Sequence, residues 1–314
     1  MKLFHFSFFL ILLFTAQSHA AQLNYSRVPE GDSYRFNYRW TDQNQQNQSM
    51  TFALTKEALF GRFRDFRVYK AKFAEQYVAR QIKKALTENP LPDVQVNFIK
   101  RRDKISIDIK GSKPTAIQSA YAEIAQMEKK LSQEFLRDNY YQEFTTHDQV
   151  SAIKPNHTLI AQSSVNDLKV LRDPILGTVS IKNIRKVTNY TLGFIQSIPY
   201  STLESRVTAS GAGFNPPLKL LWENQGDCDS KVTLTGAILR TLMPRIKMVF
   251  VFIEQHALIG IDIPPRDGET TVTVEGTTYV LAEPTGPAMY ALGKIAPGSE
   301  LAINNGHYTA EKFF

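Results

Sequence analysis

Residues Tyr34-Arg35-Phe36-Asn37-Tyr38-Arg39-Trp40 alternate aromatic with polar side chains, the period of two expected of a strand with one buried face. The polar stretch from Asp42 to Gln48 reads as a loop, and a second strand runs through Met50, Phe52 and Leu54. The period then lengthens. Phe73, Tyr77 and Ile82 fall on one helical face, and Pro90 and Pro92 close that segment. Val94, Val96 and Phe98 alternate again, answered by Ile105, Ile107 and Ile109 across the basic turn Lys100-Arg101-Arg102-Asp103. A long helix from about residue 114 to 136 carries Ile117, Tyr121, Ile124, Met127 and Leu131 at helical spacing. Hairpin, helix, hairpin, helix predicts a small α+β domain over residues 21–165, in an order compatible with a diverged internal duplication.

Residues 150–175 show no periodicity and are flanked by Pro155 and Asp173-Pro174, so a domain boundary is predicted there. A second domain, 170–314, opens with a helix through Ile181, Ile184, Val187, Leu192 and Ile195 that ends at Ser197-Ile198-Pro199-Tyr200. A Ser/Gly/Pro-bearing loop follows over 201–217, then a helix from Cys228 to Leu242 that stops before Pro244. Strands are predicted over 246–253, 256–263 and 277–283. Helices followed by an antiparallel sheet make an α+β layout.

The first twenty residues have a separate role. Lys2, an apolar run from Phe4 to Phe14 and the small-residue end Ser18-His19-Ala20 form the pattern of a secretory signal peptide. The run is about a dozen residues, short of the roughly twenty that span a bilayer. No cysteine lies near the cut to carry a lipid, and no later run is long enough to cross a membrane. A periplasmic or secreted protein without a transmembrane segment is expected. Its 43 % hydrophobic and 21 % charged residues are those of a globular chain. The net charge of +7 is concentrated between Lys56 and Lys113, where fifteen Lys and Arg face seven Asp and Glu. That surplus suits an anionic surface or polymer as partner, and equally a solvated helix face. Nucleic acid is set aside, given export and the lack of a recognition motif.

The chain has one cysteine, Cys228, so no internal disulfide is available to it in an oxidising compartment. Gln225-Gly226-Asp227-Cys228-Asp229 leads straight into the helix, placing the thiol where orphan N–H groups and the helix dipole favour a thiolate. A thiol nucleophile needs a base, and the base needs an orienting group. His256 starts a strand, and Glu283 ends the next one before Pro284. If those strands are neighbours, the His256 ring lies between Cys228 and Glu283. Asp227 and Asp229 oppose a thiolate: at about 6 Å and an effective dielectric near 20, each costs about 2–3 kcal/mol before screening. They either turn away and cap the helix or share a cation.

The segments Phe194-Ile195-Gln196-Ser197-Ile198-Pro199-Tyr200, Gly226-Asp227-Cys228-Asp229-Ser230-Lys231, Gln255-His256-Ala257-Leu258-Ile259-Gly260 and Leu281-Ala282-Glu283-Pro284-Thr285 resemble successive motifs of the bacterial transglutaminase-like superfamily, over about residues 175–300. The resemblance implies a papain-like core, a central helix against an antiparallel sheet. It makes Cys228 the nucleophile, His256 the base and then acid, and Glu283 the residue that holds the imidazole, where many relatives carry Asp. It implies attack on a peptide or amide carbonyl, with water as acceptor in a peptidase or amidase and an amine in a transglutaminase. Papain-like enzymes place an oxyanion-hole Gln six residues before the cysteine; here that position is Trp222. Gln225, Gln196 or the Trp222 indole are therefore the side-chain candidates, beside the Cys228 backbone N–H. No cofactor is required, although some relatives bind calcium at acidic residues beside the cysteine, which here are Asp227 and Asp229. The alternative is a non-catalytic binding module on the same fold. Amino-terminal sequencing of the exported chain is expected to begin near Ala21; a retained apolar segment would mean a membrane anchor instead.

Overall fold

Three strands, β1 (Ala21–Glu30), β2 (Ser33–Thr41) and β3 (Asn47–Thr55), form an antiparallel meander in which Phe36 lies opposite Phe52 and Tyr38 opposite Met50. The computed structural model describes residues 21–64, 66–101, 104–204 and 213–314. The expected leader, Arg102 and Asp103 of the basic turn, and part of the loop at 201–217 lie outside them. The alternation read for β2 and β3 is the one observed: Phe36, Tyr38, Trp40, Met50, Phe52 and Leu54 are all buried. A short helix, α1 (Lys56–Phe60), follows with Thr55 as its cap.

Helices α2 (Ala71–Glu88) and α3 (Pro114–Asp138) cover one hairpin, β4 (Val94–Arg101) and β5 (Lys104–Gly111). They bury their own small cluster of Val78, Ile82, Ile109, Ala120 and Ile124. Of the expected stripes, Ile82 and Ile124 are buried and Tyr77, Ile117, Met127 and Leu131 pack against the cluster, but the rings of Phe73 and Tyr121 do not. Ala74 and Val78 face inward while Phe73 is 57 % exposed, and Ala120 is buried while Tyr121 is 50 % exposed. The two alanines let the helices approach each other and the hairpin closely, and the large rings lie one helical position away.

The stretch without sequence periodicity is ordered. It contains β7 (Ser151–Pro155), which pairs with β6 (Tyr141–Thr145) just before it, then α4 (His157–Ser164), a 3₁₀ turn (Asp167–Leu171) and α5 (Arg172–Leu176). Ile160, Ala161, Leu168, Leu171 and Ile175 in it are fully buried. Next come α6 (Ile184–Ser197), α7 (Pro217–Glu223) and α8 (Cys228–Leu242). The strands β8 (Met248–Ile253), β9 (His256–Ile261), β10 (Thr271–Val274), β11 (Thr277–Ala282) and β12 (Thr309–Phe313), with α9 (Pro297–Asn304) before the last, complete the chain. The five strands form one sheet in the order β10-β11-β9-β8-β12, with every neighbouring pair antiparallel. The α+β class is thus observed.

Alternation along these strands sorts two cores. Phe250, Ala257, Ile259, Ile261 and Val280 face α8, whereas Val249, Val251, Leu258, Tyr279 and Leu281 face a second cluster with Ile303 of α9. Every residue of α8 except Asp229 is buried. The main core also crosses the boundary expected near residues 165–170, because the β1–β3 sheet packs on α6. The Trp40 ring lies 5.4 Å from both Tyr190 and Phe194, and Tyr38 lies 4.9 Å from Phe194. Trp40→Ala is expected to destabilise the whole chain by about 3–5 kcal/mol, read as a lowered midpoint of denaturant unfolding. A normal midpoint would show that the sheet and α6 are energetically independent.

Candidate active site

The position of Cys228 is fixed from two sides. Asp227 caps α8, its carboxylate accepting the Ser230 N–H at 2.9 Å, so the first of the two readings for this residue is the one observed. Before it, Gly226 is pinned by backbone bonds. Its N–H donates to the Pro199 carbonyl at 3.3 Å and its own carbonyl accepts from Ser201 at 3.1 Å. A Cβ at Gly226 would lie 2.7 Å from the Leu220 side chain, so the close approach of this segment to α7 needs glycine. The end of α7 is held by the first sheet: the hydroxyls of Tyr25 and Tyr38 donate to the Leu221 carbonyl at 3.1 and 3.3 Å.

His256 directly follows the two-residue turn Glu254-Gln255, with Gln255 in the left-handed region at φ 54°. Leu281 pairs with Gly260. Continuing that register sets Glu283 opposite Leu258 and diagonal to His256, on the same face. The contact follows: His256 Nε2 lies 2.9 Å from Glu283 Oε1, and Glu283 Oε2 accepts the Ala296 N–H at 2.8 Å. An ionised Glu283 only accepts, so Nε2 carries the hydrogen and Nδ1 is the acceptor of a neutral ring. Cys228 Sγ lies 3.8 Å from the carbonyl oxygen of Gln255, next to His256. Cys228 and His256 line one open cleft of ≈ 940 Å³, together with Tyr200, Asp229 and Phe252. A second cavity of ≈ 630 Å³ lies between α2, α3 and their hairpin and is lined by no Cys or His among the described residues.

The oxyanion candidates lie elsewhere. Gln196 is buried, and its amide nitrogen donates to the carbonyls of Glu283 and Tyr290 at 2.8 and 2.9 Å. It clamps the strand end that carries Glu283. Trp222 sits in an aromatic box, with Tyr34 and Phe60 rings each 4.8 Å away and the Arg27 guanidinium 3.7 Å over its face. The Gln225 carbonyl accepts from Asn215 Nδ2 at 3.3 Å. None of the three is among the described residues lining the cleft. Spacing from the cysteine suggested them, but the first sheet and the end of β11 already hold Trp222 and Gln196.

Burial, then the charges of Asp229 and Asp227, then the hydrogen bond to Asp229 raise the Cys228 thiol pKa far above the ordinary range. A lowered thiol pKa, expected from the helix start, is not found. Sγ donates to Asp229 Oδ1 at 3.6 Å, and desolvation of the thiolate outweighs the dipole. Asp227 is itself raised to about 7, chiefly by burial and then by Asp229. Three residues into the helix, Lys231 is fully buried; its pKa is lowered to about 7 by burial, and Nζ donates to the Ile198 carbonyl at 2.5 Å. Calcium takes six to eight oxygens. Asp227 is committed to the helix cap and Asp229 to the thiol, and no group of three Asp, Glu, His or Cys among the described residues is placed to hold a metal. The pair does not fit a cation held between them.

Two groups that the sequence did not single out lie near the thiol. His157 of α4 is fully buried, and its Nε2 lies 3.7 Å from Asp229 Oδ2. Lys154 of β7 pairs with Glu311 at 2.7 Å and lies 3.2 Å from the Phe252 ring. No spacing relative to Cys228 marks either residue; the packing of α4 against α8 brings His157 there, and Glu311 of β12 and Phe252 of β8 place Lys154. No protein-family model, curated protein or solved structure matches the chain.

Asp227 makes the pH dependence testable. Between the ordinary carboxylate value of 3.8 and about 7, the folded chain holds a proton that the unfolded chain has released. Its contribution to stability therefore falls as pH rises through that window. Thermal unfolding of wild type relative to Asp227→Asn is expected to show wild type losing ground from pH 4 to 7. A constant difference would show that Asp227 is ionised in the folded protein.

Proposed function

We propose that the protein is an exported, transglutaminase-like thiol hydrolase with a papain-like core, acting on peptide or amide carbonyls. The observation that carries this reading is the His256–Glu283 contact at 2.9 Å on the same cleft as Cys228. Nucleophile, base and orienting acid come from α8, the start of β9 and the end of β11.

In the reaction, Sγ bonds to the carbonyl carbon while its proton passes to His256 Nδ1. The imidazolium gives that proton to the departing amine as the C–N bond breaks, leaving a thioester. Water then attacks the thioester carbon, losing a proton to the same nitrogen; the acid leaves and the proton returns to Sγ. Glu283 holds the ring and stabilises its charged form. With none of the three side-chain candidates among the described residues lining the cleft, the N–H of Cys228, one of the four that a helix start leaves without an intrahelical acceptor, is the oxyanion donor. A raised thiol pKa means that proton transfer accompanies attack, rather than a thiolate standing ready. An amine in place of water would give acyl transfer.

The cleft's charge bears on the substrate. Among the described residues, Asp148, Glu204, Asp227, Asp229 and Glu254 line it against one lysine, Lys154, already paired with Glu311. Peptides with Lys or Arg near the scissile bond fit that field better than acidic ones. A second reading, a non-catalytic binding module, is favoured by one observation, the raised thiol pKa.

Cys228→Ser and His256→Ala are each expected to lower hydrolysis of basic peptide amides by at least about 10²-fold without loss of folding, and Glu283→Gln by less. Iodoacetamide should modify Cys228 in the folded wild type and do so more slowly in His256→Ala. A thiol that stays inert until the chain unfolds would instead establish the binding module.

A further inference from the structure

Proton counting around His157 assigns it a part in the site. The Thr233 hydroxyl donates its single hydrogen to the Asp229 backbone carbonyl at 2.7 Å. In its 3.1 Å contact with His157 Nδ1, the Thr233 oxygen is therefore the acceptor and Nδ1 carries a hydrogen. A neutral His157 would then turn a bare Nε2 lone pair toward Asp229 Oδ2, 3.7 Å away. That nitrogen is buried with no hydrogen-bond partner, and the ring is shut in by Phe214 and Phe252, each centred 5.2 Å away. Two acceptors facing each other, one of them on a fully buried ring, repel. One proton between them removes the conflict.

We propose that His157 and Asp229 share one buried proton and together act as a positioning pair for the Cys228 thiol. Asp229 touches both groups: one oxygen faces His157 and the other accepts from Sγ at 3.6 Å. With the shared proton in place, the charge on Asp229 is offset while its carboxyl stays oriented, so loss of the thiol proton to His256 meets less opposition. Without it, a full negative charge stands beside the nucleophile. The other charged groups around His157 are Lys154 of β7 and Glu311 of β12, which offset each other at 2.7 Å, and Asp227 and Lys231 at the start of α8. Burial lowers the His157 pKa, and the charge of Asp229 is the main influence opposing that shift.

The proposal rests on Cys228 being the nucleophile, but its test does not require turnover. The pH profile of Cys228 alkylation should shift upward by about one unit in His157→Gln, the scale of an added neighbouring charge. That shift should vanish in the Asp229→Asn background, where no charge remains to offset. A profile unchanged in folded His157→Gln, or a shift that persists with Asp229→Asn, overturns the pair. If His157→Gln does not fold, proton NMR of the wild type decides. A downfield, slowly exchanging proton next to the His157 ring, absent from Asp229→Asn, supports sharing; a bare Nε2 overturns it. Absence of any peptide hydrolysis, with these results intact, would defeat the hydrolase reading and leave the pair standing.

Discussion

Burial of α8 on every side is the constraint on which the rest of the structure depends. A helix apolar nearly all round has no solvent face, so it needs partners in each direction. The five-stranded sheet covers one side, α4 and the 3₁₀ turn another, and α6 and α7 the remainder. Such a helix meets solvent only at an end. Its amino end opens on the cleft, and Asp229, the one residue of α8 that is not buried, sits there beside Cys228. Thr233 and Lys231 are held inside by the same requirement. Thr233 orients His157, and Lys231 ties the helix to Ile198 just before Tyr200, which lines the cleft.

The covering elements also set the reach of the amino-terminal half. The β1–β3 sheet reads locally as a separate hairpin unit, yet its aromatic face has no partner of its own. Tyr38 and Trp40 pack on rings of α6, Phe36 joins the same core, and the Tyr25 and Tyr38 hydroxyls donate to the last carbonyls of α7. Those carbonyls lie a few residues before the nucleophile. A change in the sheet is therefore carried to the Gly226-Asp227-Cys228 segment through α7. The hairpin under α2 and α3 has its own cluster and lacks that mechanical link.

What was legible in the sequence is what short-range periodicity controls. The alternation in β2 and β3, the full length of α8 and the parity that puts His256 and Glu283 on one face follow from residues close in the chain. The segment from β7 to α5 was not legible, because its few apolar residues are buried by distant elements and leave no periodic trace. His157 is hidden for the same reason. On α2 and α3 the spacing marks the buried stripe except at Phe73 and Tyr121, whose rings are exposed while the neighbouring Ala74 and Ala120 are buried. Trp222 and Gln196 failed as oxyanion candidates because distance along the chain carries no record of the partners each side chain already has.

The electrostatics around Cys228 combine into one account. A single thiol in an oxidising compartment is at risk in proportion to its thiolate fraction. Burial and two carboxylates keep Cys228 protonated in the free protein, which limits that risk but also withholds the nucleophile. On the proposed hydrolase reading, His256 would supply the missing step only when a carbonyl is in place to accept Sγ, so that the proton moves during attack rather than before it. The cleft's acidic wall then serves two ends. It suppresses the thiolate when the cleft is empty, and it attracts a cationic substrate whose own charge offsets Asp227 and Asp229 on arrival. On this argument substrate binding and activation of the thiol are the same electrostatic event, and a neutral peptide of equal affinity would bind without fully activating Cys228.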